Sequence, residues 1–168
     1  MSFQLYYASD IHGSDLLWRK FVNAGKFYEV DVLVMVGDIT GKAVVPIVRS
    51  AGGLRVAELI GDRVAPEEEL ESLEDRVRDR GFYPYVTTEE ELAEAHGDEA
   101  KVAELFARAM ADSVRRWLEL AEERLAGTGI RLYMMLGNDD EPALSEVLDA
   151  SPLGVTCEDI AVELAEQI

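Results

Sequence analysis

Basic residues, cysteine and long apolar runs are all scarce in this chain. Sixteen Lys and Arg stand against 34 Asp and Glu, giving a formal net charge of −18 over 168 residues. Such an acidic excess argues against a non-specific binder of nucleic acid or of an anionic membrane, since both need a basic surface. One cysteine, Cys157, cannot form an internal disulfide, which fits a reducing compartment. No apolar run approaches the ~20 residues of a membrane-spanning helix. Met1-Ser2-Phe3-Gln4 leads into strand-like sequence without a basic signal region, so a cytoplasmic location is the expectation.

The chain does have the means to fold. An apolar fraction of 48% over 168 residues suits one domain with a sizeable core. The most informative stretch is Val30 to Asp38, VDVLVMVGD, an unbroken apolar run that stops at Gly37-Asp38. Such a run reads as a strand covered on both faces, as in the middle of a parallel sheet. Phe3 to Ser9 runs likewise into Asp10-Ile11-His12, and Ile130 to Leu136 into Gly137-Asn138-Asp139-Asp140. Open α/β sheets build their sites at the carboxyl ends of such strands. If the three are parallel neighbours, Asp10, His12, Asp38 and Asn138 converge on one crevice.

Between these strands the pattern is mainly helical. Ser14 or Asp15 caps a helix whose apolar face is Leu17, Trp18, Phe21 and Val22, with Gly25 as its C-terminal stop. Pro46 demotes Lys42 to Arg49 to an edge strand or loop. Leu54 to Leu59 alternates, Gly61-Asp62 offers a turn and Arg63-Val64 returns, which reads as a small hairpin. An acidic helix follows from Pro66 to Arg80, ended by Gly81. Phe82 to Val86 is an aromatic linker, and Thr88 with Glu91 forms a capping box for a short helix broken at Gly97. Asp98 to Ala126 carries one apolar stripe from Val102 to Leu125 and is a long helix. A short helix from Ala143, a strand at Val155 to Cys157 and a further strand at Ile160 to Leu164 complete the expectation.

The chemistry of the strand ends points to metal. Asp10 and His12 stand two apart in an expected extended segment, so their side chains leave on the same side. Asp38 can offer its two oxygens to two cations, and Asn138 supplies a neutral carbonyl oxygen. A mixed oxygen and nitrogen set favours Mn, Fe, Zn, Ni or Co over an all-oxygen calcium site. Receiver domains and haloacid-dehalogenase-like phosphatases also have acidic strand ends. They need a late strand lysine and a DxD nucleophile respectively, and neither stands out here.

The ordered set D-x-H, GD and GN-x-D is similar to the early motifs of the calcineurin-like metallophosphoesterase superfamily, over Phe3 to about Asp140. The resemblance implies a calcineurin-like metallophosphoesterase sheet with flanking helices, an incomplete four-layer αββα sandwich. It would be a single domain over 1–168, with a hairpin and helical insertion at about residues 41–126. It implies Asp10 and His12 on a first metal, Asp38 bridging, and Asn138 on a second. Two divalent ions ~3.5–4 Å apart would clamp a phosphoryl group and generate the attacking hydroxide.

Two departures from the family pattern stand out. The histidine of the family's GNH motif is replaced by Asp139, which could serve as a catalytic acid only with a pKa raised well above ~4. That substitution tips the expected substrate toward phosphodiesters over phosphomonoesters. The family's later GH and GHxH ligands are also absent, because the only other histidine, His96, precedes the third core strand. The expectation is therefore a chain equivalent to roughly the first two-thirds of a complete domain (a truncated product, a fragment or a natural short form), whose exposed apolar surface allows a homodimer or a carboxyl-terminal partner chain. The resemblance equally allows a catalytically weak or inactive scaffold or fragment that binds a partner protein.

Overall fold

The apolar run before Gly37 becomes an inner strand of a fully parallel sheet, as its composition dictates. The computed structural model describes residues 3–56, 63–95, 97–157 and 161–164. In chain order its elements are β1 (Leu5–Ser9), α1 (Asp15–Phe27), β2 (Val32–Val36), β3 (Val44–Ser50), β4 (Gly53–Val56), β5 (Arg63–Ala65), α2 (Leu70–Asp79), β6 (Tyr83–Thr88), α3 (Glu89–Ala95), α4 (Glu99–Leu125), β7 (Arg131–Met135), α5 (Leu144–Asp149) and β8 (Gly154–Thr156). The class is mixed α/β, with two four-stranded sheets and flanking helices. The chain divides into two compact units. One comprises Met1–His12, Leu16–Thr40 and Val114–Ile168, the other Gly13–Asp15 and Gly41–Ser113.

In the first unit the strand order is β1-β2-β7-β8, with each neighbouring pair parallel. Register runs Tyr6↔Leu33↔Leu132 and Ala8↔Met35↔Met134, so these six side chains share one face. Leu33, Met35, Leu132 and Met134 are buried there, and Tyr6 meets Phe21 of α1 and stacks on Tyr28. Trp18 of α1 is fully buried, stacks on Trp117 of α4 at 5.2 Å between ring centroids, and donates its indole N–H to the Trp117 carbonyl at 2.9 Å. That bond matters because an unpaired buried N–H is costly. Leu5 and Tyr7, on the opposite face at the β1 edge, are exposed.

Several local expectations need correction. Gly25 does not stop α1. It lies inside the helix, where a Cβ would sit 3.2 Å from Leu33 and Ile130 side-chain atoms, so it lets the helix approach the sheet. Leu17 is exposed, and the buried face is Trp18, Phe21, Val22, Ala24 and Gly25. Ala161–Leu164 forms no strand, while Ile160 lies outside the described residues. The Leu164 carbonyl instead accepts a hydrogen bond from the Arg131 guanidinium.

The second unit has strand order β5-β4-β3-β6, antiparallel except for the parallel pair β3–β6. β3 is therefore an inner strand despite Pro46. Tyr83 N–H donates to the Ala43 carbonyl, so alternate residues from Ala43 face β6 and Pro46 faces the other side. Among the described residues, pairing with β4 begins at Ile47, and on the β6 side Pro46 has no N–H to supply. The aromatic segment 82–86 is not a linker. Most of it is β6, recruited by register with β3 from Val44↔Tyr83 to Arg49↔Thr88. Val45, Ile47, Leu54, Val56 and Ala65 form a core with Leu73 and Val77 of α2. The Gly61-Asp62 turn lies outside the described residues.

Two helix starts in this unit follow from side-chain chemistry. Thr88 and Glu91 form a reciprocal capping box at α3: Glu91 N–H donates to Thr88 Oγ1 at 3.2 Å, and Thr88 N–H donates to Glu91 Oε2 at 3.1 Å. Asp98 caps α4 through the Lys101 N–H at 3.0 Å. The apolar stripe of α4 is buried at Met110 and at Val114, Trp117, Leu118, Ala121 and Leu125, while Val102 is exposed.

Candidate metal centre

The parallel register carries β1, β2 and β7 to a common carboxyl edge, and backbone bonds continue the ladder past the strands. Asp10 N–H donates to Gly37 O at 3.3 Å, His12 N–H to Asp38 O at 3.0 Å, and Gly37 N–H to Met135 O at 2.9 Å. The segments that carry the candidate ligands are thus stitched to one another. Asp10, His12 and Asp38 each present a ligand atom within 4.8 Å of the other two. Asp10 is exposed, and His12 and Asp38 are partly buried.

The Asp10–His12 segment is not extended, contrary to the sequence expectation. Asp10 has φ +56° and His12 φ +43°, with Ile11 buried between them. Asp38 is left-handed too, at φ +44°, directly after Gly37 at φ +63°. Only four described non-glycine residues have positive φ, and three of them are these candidate ligands. Asp and His tolerate this region better than most residues. Even so, each such residue costs on the order of 1 kcal/mol and persists only where the surroundings over-determine it. Concentration of strain on one side-chain cluster is the pattern expected of a site.

The Gly137–Asp140 turn closes against Asp38. A Cβ at Gly137 would sit 2.2 Å from Asp38 N and 2.3 Å from Asp38 Oδ1, so only glycine fits without movement. Asp139 N–H donates to Asp38 Oδ1 at 3.1 Å, which fixes the rotation of that carboxylate. Asn138 is exposed, and its side-chain amide donates to Asp139 Oδ1 at 2.9 Å. The turn thus shares the edge with the triad, whereas the Asn138 side chain is directed to Asp139. The Asp139 carboxylate is exposed and outside the 4.8 Å group. His96 lies outside the described residues.

Asp140 was given no role by the sequence and has one here. It is buried, at 8% exposure. Its Oδ2 accepts from Gly137 N–H at 2.8 Å and Ile39 N–H at 3.1 Å. Its Oδ1 accepts from Thr40 N–H at 2.9 Å and the Thr40 hydroxyl at 2.5 Å. One carboxylate therefore ties the turn after β7 to the turn after β2. Its place in Gly137-Asn138-Asp139-Asp140 was visible in the sequence, but bonds to donors 100 residues away in the chain leave no periodic trace.

A divalent cation fits the donors present. Two carboxylates and an imidazole make a set that borderline first-row metals accept. His12 Nδ1 is buried without a hydrogen-bond partner, an omission that proteins rarely leave uncompensated. Among the described residues, this Asp-His-Asp set is the group of acidic, His or Cys side chains close enough to share an ion. No helix of the described residues is long and apolar enough to cross a membrane. No protein-family model, no curated protein and no solved structure matches the chain.

Proposed function

We propose that this chain is a divalent-metal-dependent phosphoesterase of the calcineurin-like type, acting on a phosphodiester or phosphomonoester. The observation that carries the reading is the meeting of Asp10, His12 and Asp38 within 4.8 Å at the carboxyl ends of neighbouring parallel strands, all in left-handed backbone. In this reading the first sheet corresponds to the amino-terminal half of a calcineurin-like sandwich.

Asp10, His12 and Asp38 hold one ion. The second oxygen of Asp38 and the Asn138 carbonyl are the groups available to a second. Two ions are the number that the resemblance to the metallophosphoesterases implies. The chemistry supplied by such a pair is Lewis acidity toward phosphoryl oxygen and activation of water as a nucleophile. The chain's own residues hold and orient. Asp139 N–H fixes the Asp38 carboxylate, and the absence of a Cβ at Gly137 allows that approach.

The test is hydrolysis of bis-p-nitrophenyl phosphate and p-nitrophenyl phosphate with Mn²⁺. Turnover that EDTA abolishes and that Asp38→Ala loses supports the enzyme. A second reading, a protein-binding scaffold on the same framework, is favoured by exposed apolar side chains in β1 and just before it: Phe3 at 42%, Leu5 at 44% and Tyr7 at 58%. Absence of turnover together with absence of bound metal at millimolar Mn²⁺ would favour it.

A further inference from the structure

Asp140 is anchored more completely than any of the three candidate ligands. A carboxylate has about four lone-pair sites, and two donors meet each oxygen of Asp140. Nothing remains on it for a cation, and it lies outside the 4.8 Å group. What it grips, however, brackets Asp38. Ile39 and Thr40 immediately follow Asp38, and Gly137 is the residue whose backbone abuts the Asp38 carboxylate. On the other side, Gly37 is held by the Met135 carbonyl. Asp38 is thus caught between two fixed points in a backbone conformation it would not adopt unaided. Asp139, next to Asp140, is carried into position to donate its N–H to Asp38 Oδ1.

We propose that Asp140 is the positioning residue of this cation site: without touching the ion, it sets cation affinity by holding Asp38 in its left-handed, Asp139-bonded geometry. The inference rests on the reading of Asp10, His12 and Asp38 as metal ligands. Outer partners that orient a metal ligand typically govern affinity by about 10–100-fold.

Asp140→Asn keeps the shape but leaves one oxygen for donors on both sides. The Thr40 hydroxyl can turn to accept from the new amide, whereas the Thr40 N–H or the Ile39 and Gly137 N–H pair is left facing an amino group. Thr40→Val is milder, removing only the 2.5 Å hydroxyl bond. The experiment titrates Mn²⁺ into wild type, Asp140→Asn, Thr40→Val and Asp10→Ala, with free aquo-Mn²⁺ read by electron paramagnetic resonance and folding checked by circular dichroism. The bound-ion spectrum supplies a readout that a purely structural role would not move. The expected result is Asp140→Asn weakened about 10–100-fold and Thr40→Val weakened less, both with an altered bound-Mn²⁺ zero-field splitting. Wild-type affinity and an unchanged spectrum in folded Asp140→Asn would overturn the proposal. Should that variant fail to fold, the same wild-type behaviour in Thr40→Val would overturn it. If wild type shows no Mn²⁺ binding that Asp10→Ala weakens, the metal reading itself falls, and this inference with it.

Discussion

Replacing Gly137 with alanine is the sharpest steric probe of the candidate site. The new Cβ would lie 2.2 Å from Asp38 N, 2.3 Å from Asp38 Oδ1 and 2.8 Å from Gly37 Cα, against a floor of 3.0 Å for real contacts. The two turns must separate by at least 0.8 Å, the gap between 2.2 and 3.0 Å. The obstacles include backbone atoms, so no side-chain rotation relieves them. Overpacking of this kind costs about 1–3 kcal/mol, which for a chain of this size lowers Tm by about 2–12 °C. The displacement also pulls Asp38 away from Asp10 and His12, so Mn²⁺ affinity should fall about tenfold or more. Gly127→Ala is the control. Gly127 has φ +70° with nothing within 4 Å of its would-be Cβ, so the change brings backbone strain of about 1–2 kcal/mol far from any clash. Calorimetric melting and Mn²⁺ titration of both variants separate the two effects. The reasoning is refuted if Gly137→Ala keeps wild-type Mn²⁺ affinity, or if Gly127→Ala loses as much.

Other consequences follow from single side chains. Trp18→Ala empties a fully buried site, breaks the Trp117 stack and removes the indole hydrogen bond to the Trp117 carbonyl. It should cost about 3–5 kcal/mol in urea unfolding, and a loss below ~1 kcal/mol would contradict the core assignment. Thr88→Ala removes one arm of the α3 capping box and should cost about 1 kcal/mol, measured the same way; no loss would mean the box contributes nothing. Burial pushes the Cys157 thiol pKa up, partly offset by a hydrogen bond from the backbone at Met134. A folded-state pKa above the unfolded one means the folded chain holds that proton more tightly, so this group's stabilisation is complete below the unfolded pKa and fades as pH rises through the folded value. Iodoacetamide alkylation should therefore have its rate midpoint at higher pH for folded protein than for urea-unfolded protein, and the reverse order would refute the shift.

The sequence made the first sheet legible because its strands are unbroken apolar runs that end in chemistry-bearing residues. That Val32–Val36 is an inner strand of a parallel sheet follows from that pattern, and the structure supplies its neighbours, β1 and β7. The second sheet was harder to read. Pro46 argued for an edge strand or loop and Phe82 to Val86 read as an aromatic linker, but the two pair as parallel strands, with Pro46 opposite Tyr85. Gly25 read as a helix stop because its tertiary use, closeness to Leu33 and Ile130, is invisible along the chain. At the site, residue types pointed to Asp10, His12 and Asp38, which lie within 4.8 Å of one another, whereas Asn138 turns its amide to Asp139, and the left-handed backbone at Asp10 and His12 was not predictable from an extended reading. Asp140 escaped for a related reason: its partners are backbone amides, which every residue has, so no sequence pattern marks them.

The central claim is that Asp10, His12 and Asp38 together hold a divalent cation. Crystals grown with Mn²⁺ and measured on either side of the manganese absorption edge test it directly. The account predicts an anomalous peak at bonding distance from all three side chains, lost in Asp38→Ala. Density elsewhere, or no peak among these three groups at millimolar Mn²⁺, would contradict it.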